Sequence, residues 1–255
     1  MKWQGRRRND TQRPFGRSIF LLPNLLTTGS LFAGFYSIVQ AMNGRYEAAA
    51  VAIFVAMVLD GLDGRVARMT HTQSAFGAEY DSLSDMVSFG AAPALVMYVW
   101  ALKPMGKLGW VAAFIYCAGA ALRLARFNTQ IGTTDKRFFV GLPSPAAAAM
   151  VVGFLWLVDD YFELSGADVH WLAWTVTLAA GVLMVSNLRY YSFKVVHLRF
   201  NVPFMVLPIA VLGLLLVSYY PPMVLFALFS LYVLSGFLTP WILRRWPADR
   251  PTDRI

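Results

Sequence analysis

Apolar residues fall in eight runs separated by short polar breaks, at positions 19–42, 46–68, 78–101, 109–127, 140–159, 169–186, 203–219 and 223–243. Most of these runs are near the ~20 residues that a helix needs to cross the hydrocarbon core of a bilayer. The pattern predicts an all-α fold, a polytopic transmembrane helix bundle of about eight spans. The run 203–219 is the shortest and 169–186 could tilt or break, so six or seven spans also fit the pattern.

Composition sharpens this picture. Hydrophobic residues make up 58% of the 255-residue chain, which excludes an ordinary soluble domain. One membrane domain, 19–243, lies between a basic segment, 1–18, and a polar tail, 244–255. The first run is too long for a signal peptide, lacks a small-residue cleavage site and is followed by further spans, so it is read as the first transmembrane helix. The single cysteine, Cys117, excludes an internal disulfide.

Charge sets the orientation. With eight spans and the N-terminus inside, every Lys and Arg of the 22 except Arg45, Lys103 and Lys107 falls on the cytoplasmic side. The acidic loop with Asp159, Asp160, Glu163 and Asp168 then faces out. This places the protein in the cell membrane as a multi-pass chain with both termini cytoplasmic. The basic segment 1–18 reads as a topology anchor against anionic lipid, since no aromatic platform or folded basic domain accompanies it and nucleic acid is not expected as a partner.

The chemistry concentrates between Asp60 and Asp85. The run D-G-L-D-G-R-V-A-R ends at Arg68, and eight residues later Gly77 opens G-A-E-Y-D-S-L-S-D. Helical periodicity aligns Asp60, Asp63, Gly64, Ala67 and Arg68 on one stripe and Gly77, Asp81, Ser84 and Asp85 on another. The short polar segment between them turns the second and third helices back on each other, so the four Asp converge at the cytoplasmic ends of those helices. A charged carboxylate costs roughly 2.5–3.5 kcal/mol at the centre of a bilayer. Arg65 and Arg68 are too few to neutralise four of them, and hard divalent cations are bound by carboxylate oxygens. The expectation is a one- or two-metal site for a divalent cation, Mg2+ or Mn2+, two ions about 4 Å apart being the arrangement suited to displacement at phosphorus. Gly61, Gly64 and Gly77 remove side chains where a phosphate or a neighbouring backbone must come close.

The spacing Asp60-x-x-Asp63-Gly64-x-x-Ala67-Arg68, eight residues, Gly77-x-x-x-Asp81-x-x-x-Asp85 resembles, at every fixed position, the signature of the CDP-alcohol phosphatidyltransferase family. The resemblance implies a CDP-diacylglycerol substrate whose diphosphate bridges the metals, with CMP leaving as an alcohol attacks. It implies metal ligation by Asp60, Asp63, Asp81 and Asp85, with Asp85 also the catalytic general base. Arg68, Gly64 and Gly77 then shape the nucleotide-diphosphate pocket. Asn24 lies in a Pro-Asn-Leu-Leu-Thr stretch similar to one lining that pocket in the family, although Asn24 could equally cap the helix after Pro23. The resemblance also implies a homodimer.

Two arginines, Arg123 and Arg126, lie three residues apart near the end of the fourth run. Intramembrane arginines usually have anionic partners, and paired guanidinium forks read as an anion clamp. The sequence R-L-A-R-F-N, followed by F-V-G-L-P-S-P-A-A ending at Ala147, resembles the phosphatidylserine synthase branch. L-serine is then the expected acceptor, its carboxylate held by Arg123 or Arg126. Glycerol 3-phosphate, inositol phosphate and choline are the alternative acceptors. Outside the family, a cation transporter could place carboxylates in a membrane, but it would centre them at the midplane. A prenyltransferase would carry its two aspartate motifs far apart in sequence. Beyond Val151 the sequence says little: Arg189, Tyr190, Tyr191, Lys194, His197 and Arg199 read as a basic-aromatic loop suited to lipid headgroups.

Overall fold

A computed structural model describes residues 21–129, 138–191 and 206–245. The basic segment 1–18, the loop residues Lys136, Arg137, Lys194, His197 and Arg199, and the tail beyond Arg245 lie outside the described residues. The described chain forms eight helical rods: α1 (Leu21–Met42), α2 (Tyr46–Met69), α3 (Ala75–Met105), α4 (Lys107–Thr129), α5 (Ser144–Trp156, continued by Leu157–Tyr161), α6 (His170–Val185), α7 (Val206–Tyr219) and α8 (Pro221–Arg245). Among the described residues, α1, α3, α4 and the Pro221–Leu238 part of α8 are long and apolar enough to cross a membrane, and α6 is a shorter apolar helix. The protein is therefore a multi-pass membrane protein, mostly helical over the described residues. At 24 residues α2 is slightly longer than α1, at 22, but Asp60, Asp63, Arg65 and Arg68 load its last turns with charge.

The bundle is not purely α-helical. Phe138–Val140 (β1) pairs antiparallel with Arg189–Tyr191 (β2), Phe139 opposite Tyr190. The fifth apolar run predicts a helix from residue 140, yet the helix starts only at Ser144. Gly141, at φ +83, donates its N–H to Leu188 O at 2.8 Å, and Pro143 stays extended at ψ 133, so the chain is held non-helical until Pro145 enters the first turn.

The helix α1 is the scaffold. It packs most extensively on α2 and also along α3, occupying the angle between the two helices that carry the acidic motif. Its contact stripe is small and polar. Ser30 donates to Ala56 O (3.0 Å) and Ser37 to Ala49 O (2.7 Å) across α2, while Ser84 donates to Thr27 O (3.1 Å) and Ser88 to Ser30 O (3.0 Å) from α3. Small residues and interhelical hydroxyl bonds are what drive helix association where lipid removes the hydrophobic contrast. A Cβ on Gly34 would stand 2.7 Å from the Ser88 Cα, so only glycine permits this approach.

Two π-turns, Met86–Ala91 and Tyr98–Leu102, interrupt α3, each just ahead of a proline, Pro93 and Pro104. Proline removes the N–H that would meet the carbonyl four residues back, and π-turns accommodate the mismatch. The core of the bundle lies where α3, α4, α5 and α6 meet, with Phe89, Met97, Tyr116, Val151 and Leu155 fully buried.

Candidate active site

The site is assembled at the end of α2 and the start of α3. The carboxylate of Asp63 is buried at 5% exposure and accepts a 2.6 Å hydrogen bond from Thr27 Oγ1 of α1. Carboxylate oxygens of Asp60, Asp63 and Asp81 all come within 4.8 Å of one another. The two stripes therefore do converge, with α1 wedged between them rather than absent from the contact. Asp85, one turn beyond Asp81, is in hydrogen-bond contact with Asp60 and within electrostatic range of Asp81 and Arg123. Its Oδ1 is buried and accepts no hydrogen bond. A purely oxygen donor set at this spacing, with an orphaned buried carboxylate oxygen beside it, fits a hard divalent cation.

Beside the carboxylates opens a cleft of about 310 Å³. Asn24 and Thr27 of α1 form one wall, Asp63, Gly64 and Arg68 of α2 a second, and Gly77 and Asp81 of α3 a third. A Cβ on Gly77 would crowd Ser74 Oγ at 3.1 Å, the atom that caps α3, and would touch Asn24 Oδ1 at 3.5 Å. The first turn of α3 is fixed by Ser74, whose Oγ accepts from Gly77 N at 3.0 Å. The amino end of this helix borders the cleft, and such ends favour anions. Gly61 is exposed, does not line the cleft and, its own helix turn aside, has nothing near the place a Cβ would take.

The loop that closes the cleft contributes Thr72, Gln73 and Ser74, which the motif reading did not single out. This loop follows a Schellman-type stop: Thr72 N donates to Ala67 O (3.0 Å), His71 N to Arg68 O (3.4 Å), and His71 takes a left-handed φ of 53. Glycine is usual at that position, so the polar segment announced a turn but not this helix stop.

The structure separates the two arginines. Arg123 faces the carboxylates: its Nη1 donates to Ser144 Oγ at 2.8 Å, and Asp85 is its first electrostatic partner. Arg126 instead turns to the carboxyl end of α6, where its Nη1 reaches Val185 O (3.3 Å), Ser186 O (3.5 Å) and Asn187 Oδ1 (3.4 Å). Tyr190, expected on a headgroup-facing loop, has no exposed surface; β-pairing carries it inward, where its ring stacks obliquely on Tyr232 of α8 at 5.6 Å.

Fold and site together define a multi-pass membrane protein with a cluster of carboxylates of the kind that can hold a hard cation, beside a cleft of about 310 Å³. The sequence model of the CDP-alcohol phosphatidyltransferase family matches residues 20–185, and the chain belongs to that family. It is 40% identical over 225 residues to a CDP-diacylglycerol–serine O-phosphatidyltransferase of Helicobacter pylori strain J99, covering 88% of this chain and 92% of the relative. A protein of the same description from Mycobacterium bovis is 41% identical over 184 residues, 69% of this chain and 64% of its own length. An archaetidylserine synthase of Methanothermobacter thermautotrophicus is 37% identical over 175 residues, 68% of this chain and 70% of that protein.

Proposed function

We propose that this chain transfers the phosphatidyl group of CDP-diacylglycerol to the hydroxyl of L-serine, giving phosphatidylserine and CMP. The observation that carries this reading is the position of Arg123, a guanidinium bonded to Ser144 and within electrostatic range of Asp85 at the edge of the acidic cluster. The naming of the relatives as serine O-phosphatidyltransferases supports the same acceptor.

Asp60, Asp63, Asp81 and Asp85 would hold the divalent cations, Mg2+ or Mn2+ and two in number. Bound there, they supply positive charge to the diphosphate and acidify the attacking hydroxyl. The cleft of Asn24, Gly64, Arg68 and Gly77 takes the cytidine diphosphate, with Arg68 offering a fork to its phosphate oxygens. Asp85 accepts the proton of the serine hydroxyl as its oxygen bonds to the lipid-bearing phosphorus. The anhydride P–O bond breaks, and its electron pair leaves with CMP. The protein's share is positioning and charge complementarity, with no covalent intermediate on the chain.

Eight spans with both termini in the cytoplasm, in the cell membrane, would put this cleft on the side where nucleotide-activated lipids are made. In that arrangement 1–18 is a lipid-facing anchor, 19–243 the catalytic domain and 244–255 a polar tail. The homodimer expected of the family belongs to the same reading.

The testing experiment is radiolabelled-serine incorporation by purified protein with CDP-diacylglycerol and a divalent cation, beside an Asp85→Asn control. Label in the lipid fraction, abolished by chelator and by the substitution, is the expected result. CMP release with another alcohol but no serine label would replace serine as the acceptor.

A further inference from the structure

A groove of about 410 Å³ runs between α4 and α6, apart from the acidic cleft. It exists because the two helices cross at glycines. A Cβ on Gly119 would stand 2.5 Å from Gly181 O, and one on Gly181 would stand 2.8 Å from the Tyr116 Cα, so the backbones touch there and larger side chains to either side form walls. Phe114, Ala118 and Leu122 line the groove from α4, and Val182, Val185 and Ser186 from α6. Phe114, Leu122 and Val182 are exposed, which in a membrane-spanning bundle means open to lipid. Ser186 is the one polar side chain of the lining, and its hydroxyl donates to Leu183 O at 2.7 Å. The groove therefore offers nothing to a polar solute. From Phe114 to Leu122 it follows about 12 Å of helix at 1.5 Å per residue, a shape that suits an extended acyl chain.

One end of the groove is charged. Arg126, one helical turn beyond Leu122, donates from Nη1 to Val185 O at 3.3 Å and Ser186 O at 3.5 Å, both residues of the groove wall, and to Asn187 Oδ1 at 3.4 Å. A guanidinium has five N–H donors, and the three on Nε and Nη2 take no part in these contacts. This is also the end of the bundle that carries the acidic motif: Asn128 Nδ2, two residues on, donates at 3.1 Å to the Oγ of Ser82, the residue after Asp81. An apolar trough that ends at a guanidinium matches both halves of a glycerophospholipid, the acyl chain fitting the trough and the phosphate the fork. A purely apolar partner, such as a helix of a second copy, would cover that cation without compensating it, which is costly.

We propose that the groove between α4 and α6 is a standing site for one anionic membrane phospholipid: an acyl chain lies along Phe114, Leu122 and Val182, and the phosphate accepts hydrogen bonds from Arg126. The groove and the acidic cleft share no lining residue, so the lipid held here is a structural ligand rather than a donor awaiting transfer. Its place gives it a purpose. The end of α6 anchors the extended stretch ahead of α5, through Leu142 N to Leu183 O at 3.0 Å and Gly141 N to Leu188 O at 2.8 Å, and that stretch leads into Ser144, the partner of Arg123. A lipid bridging Arg126 and α6 braces this junction from the bilayer side.

The test is native mass spectrometry of the delipidated full chain in detergent, titrated with palmitoyl-oleoyl phosphatidylglycerol or phosphatidylcholine. The chains compared are wild type, Arg126→Gln, Val182→Trp and, as a control at an exposed position of α8, Leu231→Trp. Wild type should take one phosphatidylglycerol per chain, about tenfold more tightly than phosphatidylcholine, as a charge-assisted contact predicts. Arg126→Gln should erase that preference. Val182→Trp fills the trough and should weaken both lipids by at least about tenfold, while Leu231→Trp changes neither. Leu122→Trp fills the same trough from α4 and takes the place of Val182→Trp if that chain does not fold. The inference is overturned if wild type shows no discrete phosphatidylglycerol adduct, if it binds the two lipids equally, or if the adduct persists unchanged in both Arg126→Gln and the trough-filling variant. A wild-type dimer that the trough-filling variant splits into monomers also overturns it, since the groove then holds a second copy. None of these readouts requires turnover, so serine incorporation stands or falls separately.

Discussion

Thr27 and Asp63 are joined by a 2.6 Å hydrogen bond that crosses from α1 to α2 and aims a buried carboxylate into the acidic cluster. The same threonine offers its carbonyl to Ser84 of α3 at 3.1 Å. One residue of α1 therefore sets the position of both halves of the motif. Partners that orient a metal ligand typically contribute 10–100-fold to metal affinity. Thr27→Val keeps the shape and removes the donor. The expected result is a rise of about tenfold in the divalent-cation concentration giving half-maximal CMP release, with maximal rate largely recovered at saturating cation. No shift in the cation dependence would remove Thr27 from the site.

The glycines of the motif separate by surroundings. Gly61 is exposed, with no atom outside its own helix turn within 4 Å of the place a methyl group would take, whereas Gly64 lines the cleft and a methyl there would meet Arg68 Nη1 at 3.6 Å. Gly61→Ala should leave both KM values unchanged and add about 0.5–1 kcal/mol of helix stability. Gly64→Ala should fold normally yet raise the CDP-diacylglycerol KM by roughly tenfold, because a methyl group displaces a diphosphate that must sit against backbone. Measuring both KM values for the pair checks this directly. Equal effects at the two positions would contradict the cleft as the nucleotide site.

The contrast also marks how far the sequence could be read. Carboxylates at fixed helical spacing, with a short turn between them, leave little freedom, so the meeting of Asp60, Asp63 and Asp81 was visible from periodicity alone. The existence of the helices followed from the apolar runs, but the start of α5 did not, because Gly141 and Pro143 hold the chain non-helical up to Ser144. The wedge of α1 was not visible, because Ser30, Ser37 and Ser88 reveal their partners only once three helices are packed. Nor was the Tyr190–Tyr232 pair, which joins residues 42 apart through a glycine on α8. Periodicity placed Arg123 and Arg126 near one face. Their different neighbours, Ser144 and the end of α6, are long-range facts.

Those neighbours give the arginines different expected phenotypes. Arg126 caps the carbonyls at the end of α6, a favourable place for a cation worth roughly 0.3–1 kcal/mol. Arg126→Ala should lower the thermal midpoint slightly and leave the serine KM unchanged. Arg123→Ala should raise the serine KM by at least about tenfold with little change in the KM for CDP-diacylglycerol, as expected for loss of a charge-assisted contact. Kinetics with each substrate varied in turn distinguish the two, and a reversed pattern would exchange their roles.

A π-turn, Met86–Ala91, interrupts α3 just beyond the turn that carries Asp81 and Asp85. Pro93 cannot donate to the carbonyl of Phe89, four residues earlier, and in a bundle without water an orphaned carbonyl is costly. The buried phenol of Tyr116 on α4 donates to that carbonyl at 3.1 Å, so a side chain replaces the missing backbone N–H. Tyr116→Phe keeps the ring and deletes the bond, leaving the carbonyl unsatisfied at a cost of about 1–3 kcal/mol. The thermal midpoint of the purified protein in detergent should fall. Restoring the backbone donor with Pro93→Ala should recover much of that loss in the double variant, because the helix can then satisfy its own carbonyl. If Pro93→Ala brings no recovery, Tyr116 stabilises the bundle by packing rather than by standing in for the N–H.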